Sequence, residues 1–211
     1  VLLRFGASSA SRVPLHPRES ERLAAVCGLC DPERGRDALL DRVAESAAAL
    51  FDAPIGLVTF IDEWEQRFGG LSGADFESTS REDSICAHTI LQDGPLIVED
   101  VREDPRFARL PIVTEAPFLR AYFGASVVDA GGLPIGSVCV LDMKPRPATF
   151  REIYGLERLA TKVGVILETR KLMRELAGGS SGDFRTRSLD RLDAILAPLG
   201  TPLGEPCRTV R

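Results

Sequence analysis

Arg81-Glu-Asp-Ser-Ile-Cys-Ala-His88 is followed by Pro95-Leu-Ile-Val-Glu-Asp-Val101, Asp104-Pro-Arg-Phe107, Arg120-Ala-Tyr-Phe-Gly-Ala125 and Ile135-Gly-Ser-Val-Cys-Val-Leu-Asp142. Tyr122 to Val128 and Leu133 to Leu141 are apolar runs of strand length, and Asp129-Ala-Gly-Gly132 between them is a hairpin turn signal. Leu96-Ile-Val98 reads as a shorter strand. Ser80 or Ser84 is placed to cap a short helix over 85–91, which Asp93-Gly94 ends. Asp104-Pro105 reads as an N-cap with Pro at the first helical position. Residues 108–118, with Pro111 and Pro117, read as irregular.

Upstream, Ile55-Gly-Leu-Val-Thr-Phe-Ile61 is another strand, bounded by Asp62-Glu63, and 64–71 reads as its hairpin partner. The Ser-, Gly- and acid-rich stretch 72–83 reads as a loop. Before the strands, Leu39, Leu40, Val43, Ala47, Leu50 and Phe51 recur on one helical face, opposite Asp41, Arg42 and Glu45. A weaker helical pattern covers 18–30 through Leu23, Val26, Cys27 and Cys30, and Asp31-Pro32 marks a turn. A long helix is expected over 149–176, roughly 40 Å at 1.5 Å per residue. Its Leu159, Val163, Ile166, Arg170 and Met173 lie close to a heptad seam, with Arg170 interrupting it.

The order is helix, two strands, a crossing segment, three strands and a terminal helix. It implies an α+β fold: a mostly antiparallel sheet covered on one face by the terminal helices. Residues 1–17 read as a flexible N-terminal segment and 18–177 as one domain. Residues 178–211 read as a Gly-Gly-Ser-Ser-Gly linker and a tail, with a short amphipathic helix around Leu189 to Leu199.

The ordered motif series resembles the GAF domains of bacterial sensor histidine kinases and diguanylate cyclases. The resemblance covers about residues 20–172. It implies a five- to six-stranded antiparallel sheet with terminal helices packed on one face. On the other face, a segment between strands closes a ligand pocket. It also implies a sensory or regulatory module without catalysis of its own, acting as a homodimer on an output domain or on a protein in trans. The pocket walls would come from Phe60, Phe68, Cys86, Ile90, Tyr122 and Cys139, with His88, Arg120 and the Tyr122 hydroxyl as polar groups.

Composition narrows the partners. The formal charge is -5, from 26 basic and 31 acidic residues, with no basic run for nucleic acid. No stretch approaches the ~18 apolar residues that span a bilayer, and Val1-Leu-Leu-Arg-Phe5 is too short for a signal-peptide core. The expectation is a cytoplasmic protein. The chain opens on Val rather than Met, from a non-standard start or as a fragment of something longer.

Five Cys at 27, 30, 86, 139 and 207 do not suggest a disulfide framework. Cys27-Gly-Leu-Cys30 falls late in an amphipathic stretch and reads as structural thiols. With only His16 and His88 available, no metal site is expected, and no cofactor. Cys86 and His88 sit two apart, so on a helix they point to nearly opposite sides.

Three further GAF activities bear on these residues. Bilin-binding relatives attach chromophore through a Cys next to a His, and here Ala87 intervenes. Free methionine sulfoxide reductases of this family use a second Cys about ten residues on, and 92–112 holds none. The Asn-Lys-Phe-Asp-Glu signature of cyclic-nucleotide-binding members is absent, since the chain has no Asn. Two alternatives to the sensory reading remain: a thiol enzyme of the reductase kind, and a purely structural dimerisation domain with a collapsed pocket. Asp100, Arg102, Asp104 and Arg106 read as turn caps and local ion pairs, and Cys139 as core packing.

Overall fold

The computed structural model describes residues 13–30, 36–75 and 78–178. Two helices come first, α1 (Glu19–Leu29) and α2 (Ala38–Phe51), then strands β1 (Ile55–Ile61), β2 (Glu65–Ser72) and β3 (Ser78–Ser80). Helix α3 (Ile85–Thr89), strand β4 (Leu96–Val98) and helix α4 (Pro111–Thr114) lead to β5 (Ala121–Val128), β6 (Pro134–Asp142) and α5 (Phe150–Gly178). The six strands form one sheet in the order β3-β2-β1-β6-β5-β4, each neighbouring pair antiparallel. The fold is therefore α+β, with α1, α2 and α5 on one face.

Both faces are covered. Val58, Phe60, Phe123, Val138 and Val140 meet Leu40, Ala44, Ala47, Leu156 and Val163 of the helices. Leu57, Ile61, Phe68, Tyr122, Cys139 and Leu141 meet α3, α4 and the loops around them. Because β3 and β4 are opposite edges, the chain between them has to cross the second face, and α3 lies on that crossing. Burial on both sides explains why β1 is buried at every position and shows no alternation in sequence.

Close approach of α2 to the sheet depends on missing side chains. A Cβ on Gly56 would overlap the Ala44 carbonyl oxygen, and one on Gly70 the Leu40 carbonyl. The β1–β2 register steps from Val58↔Gly70 to Thr59↔Phe68. Gly69 is the extra residue of that bulge, and the Phe60 ring lies over it.

The helix ends follow local capping chemistry. Asp37 accepts from the Leu39 amide at 2.9 Å and also pairs with Arg170 at 2.7 Å. At the start of α5, Thr149 and Glu152 form a reciprocal capping box: Thr149 N donates to Glu152 Oε2 at 2.6 Å and Glu152 N to Thr149 Oγ1 at 3.3 Å. The buried stripe of α5 is Leu156, Ala160, Val163 and Leu167. Of the expected heptad seam, Val163 is therefore inside the domain, and Met173 is exposed.

Several details depart from the sequence reading. The stretch 72–83 contains β3, whose three polar residues pair with β2 through the backbone alone. Asp104-Pro105 begins no helix; it opens a turn in which the Phe107 and Ala108 amides donate to the Asp104 carbonyl. The segment 108–118 holds one helical turn, α4, with Pro111 at its start. Val13, in the stretch expected to be flexible, is buried in the α3-side cluster. The Asp31-Pro32 turn, the linker from Gly179, the tail helix and Cys207 lie outside the described residues.

Candidate functional site

The α3 face of the sheet encloses a cavity of about 40 Å3. The strands supply its floor: Leu57 from β1, Gln66 and Phe68 from β2, Leu141 from β6 and Tyr122 from β5. Thr79, Asp83, Ser84, Ile85 and Cys86 form one wall, and Pro111 and Ile112 another. Registry brings the floor together, since Thr59 pairs with Phe68, Leu57 with Cys139, and Tyr122 with Leu141.

The polar side of the cavity is built by the start of α3. Ser84 caps that helix, accepting from the Ala87 amide at 3.0 Å, and its hydroxyl donates to Gln66 Oε1. Asp83 is 8% exposed. One carboxylate oxygen accepts from Ser80 Oγ at 2.8 Å, and the other, Oδ1, has no partner. Thr79 Oγ1 is likewise buried without a partner. Thr79 and Asp83 both line the cavity; Arg81 Nε and Nη2 are also buried without a partner, and such atoms are uncommon in folded proteins.

Beneath this wall lies a thiol pair. Cys86 Sγ is 3.5 Å from Cys139 Sγ. The Tyr122 hydroxyl donates to Cys86 Sγ at 3.3 Å and shares a hydrogen bond of 2.6 Å with Thr89 Oγ1. Tyr122 reaches this position because Gly124, two residues on, leaves room for its ring. Thr59 and Ser137 hydroxyls, 3.0 Å apart, share the same face. Burial opposes ionisation of Cys86, but hydrogen bonds from Cys139, Ser137, Tyr122 and Thr59 favour it. Burial pushes the Cys139 thiol and the Tyr122 phenol well above their ordinary ranges.

The eight residues singled out from sequence separate into three sets. Phe68, Cys86 and Tyr122 line the cavity. Ile90 and Cys139 are fully buried in the surrounding cluster. Phe60, His88 and Arg120 lie elsewhere. Phe60 shares the parity of Val58 and faces the helices; an apolar strand buried on both faces hides which residues point which way. His88 packs edge-on against Phe107, ring centroids 5.0 Å apart, on the outer side of α3 from Cys86. Burial and Arg106 hold its pKa below the usual value, with Asp104 opposing. Arg120 donates to the Val113 and Leu119 carbonyls at 3.1 and 2.8 Å and so ties down α4.

Thr79, Asp83 and Gln66 were missed as site residues, because polar residues in a turn-rich stretch carry no periodic signal. The thiol beside Cys86 stands on β6, 53 residues on in sequence, where no local pattern announces it.

Other motifs are local. Asp100–Arg102 and Asp104–Arg106 are ion pairs at 2.6 Å each. Cys27 is exposed, and burial pushes the Cys30 thiol up to about 12. A wider open groove of about 850 Å3 lies at the end of the strands, beside Asp52, Pro54, Asp142 and Lys144, and contains none of the eight. Among the described residues there is no group that could hold a metal ion, and no helix long and apolar enough to cross a membrane.

Comparison with known proteins places this architecture. The pattern of the GAF domain family matches residues 35–167. A cyclic di-GMP phosphodiesterase of Pseudomonas aeruginosa is 37% identical over 158 residues, which are 74% of this chain and 27% of that protein. The chain thus spans about a quarter of the length of this relative. The GAF domain of the Acinetobacter phosphoenolpyruvate-protein phosphotransferase superposes with a TM-score of 0.55 at 14% identity, covering 79% of this chain and 99% of that one. The blue-light-absorbing PixJ GAF domain of Thermosynechococcus elongatus gives 0.55 at 14% identity, covering 67% and 89%. At these identities the structural likeness speaks for the fold alone. The chain belongs to the GAF domain family.

Proposed function

We propose that the chain is a sensory small-molecule-binding domain of bacterial signal transduction, located in the cytoplasm and without catalysis of its own. The observation that carries this reading is the pairing of an apolar floor with the orphaned Asp83 Oδ1 and Thr79 Oγ1 on one wall. Binding sites for small molecules are mostly apolar with a few convergent polar groups. A carboxylate oxygen facing such a site calls for a ligand with an N–H or O–H donor, an amine above all.

At about 40 Å3 the cavity has room for a few waters, so a metabolite has to open it. The wall best able to move is β3, three residues long at the edge of the sheet. Opening there would reposition Arg81, which reaches α1 through Glu19. We assign output to another domain or protein, by analogy with a relative of which this chain spans about a quarter. The route outward is α5, acting in a homodimer.

Native mass spectrometry of the chain purified without denaturation tests the reading. A retained small molecule, lost in Asp83→Asn, is expected. Apo mass alone, together with no ligand found for the wild-type chain in solution, would favour a structural domain.

A further inference from the structure

We propose that Cys86 and Cys139 are a hydroperoxide-responsive pair, oxidised to a disulfide that fastens α3 to the central strand β6. This does not rest on the ligand reading; it stands on the two sulfurs themselves.

The geometry carries it. The sulfurs are 3.5 Å apart, so the approach needed to reach a disulfide bond of about 2.05 Å is roughly 1.5 Å. Cys86 stands on a five-residue helix, whereas Cys139 is fixed in the middle of the sheet between β1 and β5. The motion therefore belongs to α3. Cys86 also lines the cavity, so a molecule the size of hydrogen peroxide has a place to meet it, while Cys139 lies behind and is fully buried. The Tyr122 hydroxyl, 3.3 Å away, stabilises a thiolate at Cys86 by donating to it.

The reaction balances with the peroxide as oxidant. The Cys86 thiolate attacks one peroxide oxygen; the O–O bond breaks, an S–O bond forms, and the departing oxygen leaves as water, or as an alcohol from an organic hydroperoxide. Cys86 is then a sulfenic acid. Cys139 sulfur attacks Cys86 sulfur; the S–O bond breaks, the S–S bond forms, and the second oxygen leaves as water with the Cys139 proton. Each sulfur loses one electron, and the peroxide takes both.

The disulfide would draw Ile85 and Cys86 toward the sheet and reduce the cavity. Cys27, exposed at the far end of α1, is the internal control for indiscriminate oxidation.

The test treats the full chain with equimolar hydrogen peroxide, blocks remaining thiols after denaturation and maps the peptides by mass. The expected product is a Cys86–Cys139 crosslink, reversed by dithiothreitol. In Cys139→Ser the reaction should stop at a Cys86 sulfenic acid that dimedone traps. Because mapping of the wild-type chain needs no variant, a folding defect in Cys139→Ser leaves the test intact. Recovery of Cys86 and Cys139 as blocked thiols while Cys27 is oxidised would overturn the proposal, as would a Cys86 crosslink to any other cysteine.

Discussion

Glu19 at the start of α1 accepts a hydrogen bond from Arg81 Nη1 at 2.6 Å, across 62 residues of sequence. The same carboxylate holds Arg22 at 2.7 Å, and Arg22 is completely buried, donating to the Ile61 carbonyl at 2.5 Å. One carboxylate thus pairs with two buried guanidinium groups and joins the first helix to the segment that leads into the cavity wall.

Acid should loosen this joint. Burial opposes ionisation of Glu19, but hydrogen bonds from Arg22 and Arg81 outweigh it and hold its pKa at about 2, below the ordinary 4.5. A carboxylate with a depressed folded pKa contributes stability that is present above about pH 4.5 and is lost as pH falls toward 2. Urea titrations between pH 6 and 2 should show that loss. In Glu19→Gln the drop attributable to this group should vanish, and stability at pH 7 should fall by about 3 kcal/mol, since two buried cations lose their partner.

Helix α2 rests directly on the backbone of β1 and β2. Gly56→Ala and Gly70→Ala should each cost about 1 to 3 kcal/mol or more, by overpacking against helix carbonyls that cannot yield. Gly94 has open space around its Cβ position, so Gly94→Ala should be neutral or stabilising by up to about 1 kcal/mol. Denaturant midpoints of the three variants decide this.

Tyr122 has 1% exposure and two side-chain hydrogen-bond partners. Tyr122→Phe should cost about 1 kcal/mol, the worth of a typical buried hydrogen bond. Tyr122→Ala should cost about 3 to 5 kcal/mol, as large aromatic truncations do. Equal penalties for the two would show that the hydroxyl, not the ring, dominates.

The long strands and α2 were legible because their apolar runs and helical period are strong, and Asp129-Ala-Gly-Gly132 marks the β5–β6 hairpin. Less was legible in the cavity. β1 is buried on both faces, so nothing in Ile55 to Ile61 said that Leu57 faces the cavity and Phe60 the helices. The wall from Thr79 to Ser84 looks like any polar loop until the backbone pairing of β3 and the Ser84 cap place it over the sheet. Arg22 looks like a solvent-facing residue of a weakly amphipathic helix, and only its contact with Ile61 shows that it is inside. Such pairings, like Cys86 with Cys139, join distant residues and leave no local pattern.

The central claim is that the cavity between the sheet and the wall at Asp83 takes up a small ligand carrying a hydrogen-bond donor. A thermal-shift screen of small metabolites rich in amines, run in parallel on the wild-type chain and Asp83→Asn, tests it most directly. A true ligand at 100 times its Kd should stabilise the wild-type chain by about 2.7 kcal/mol, or roughly 5 °C or more in Tm. The account predicts at least one such compound, with the shift abolished in Asp83→Asn while the free variant melts within a few degrees of wild type. No shift from any compound, or shifts of the same size in both proteins, would contradict it.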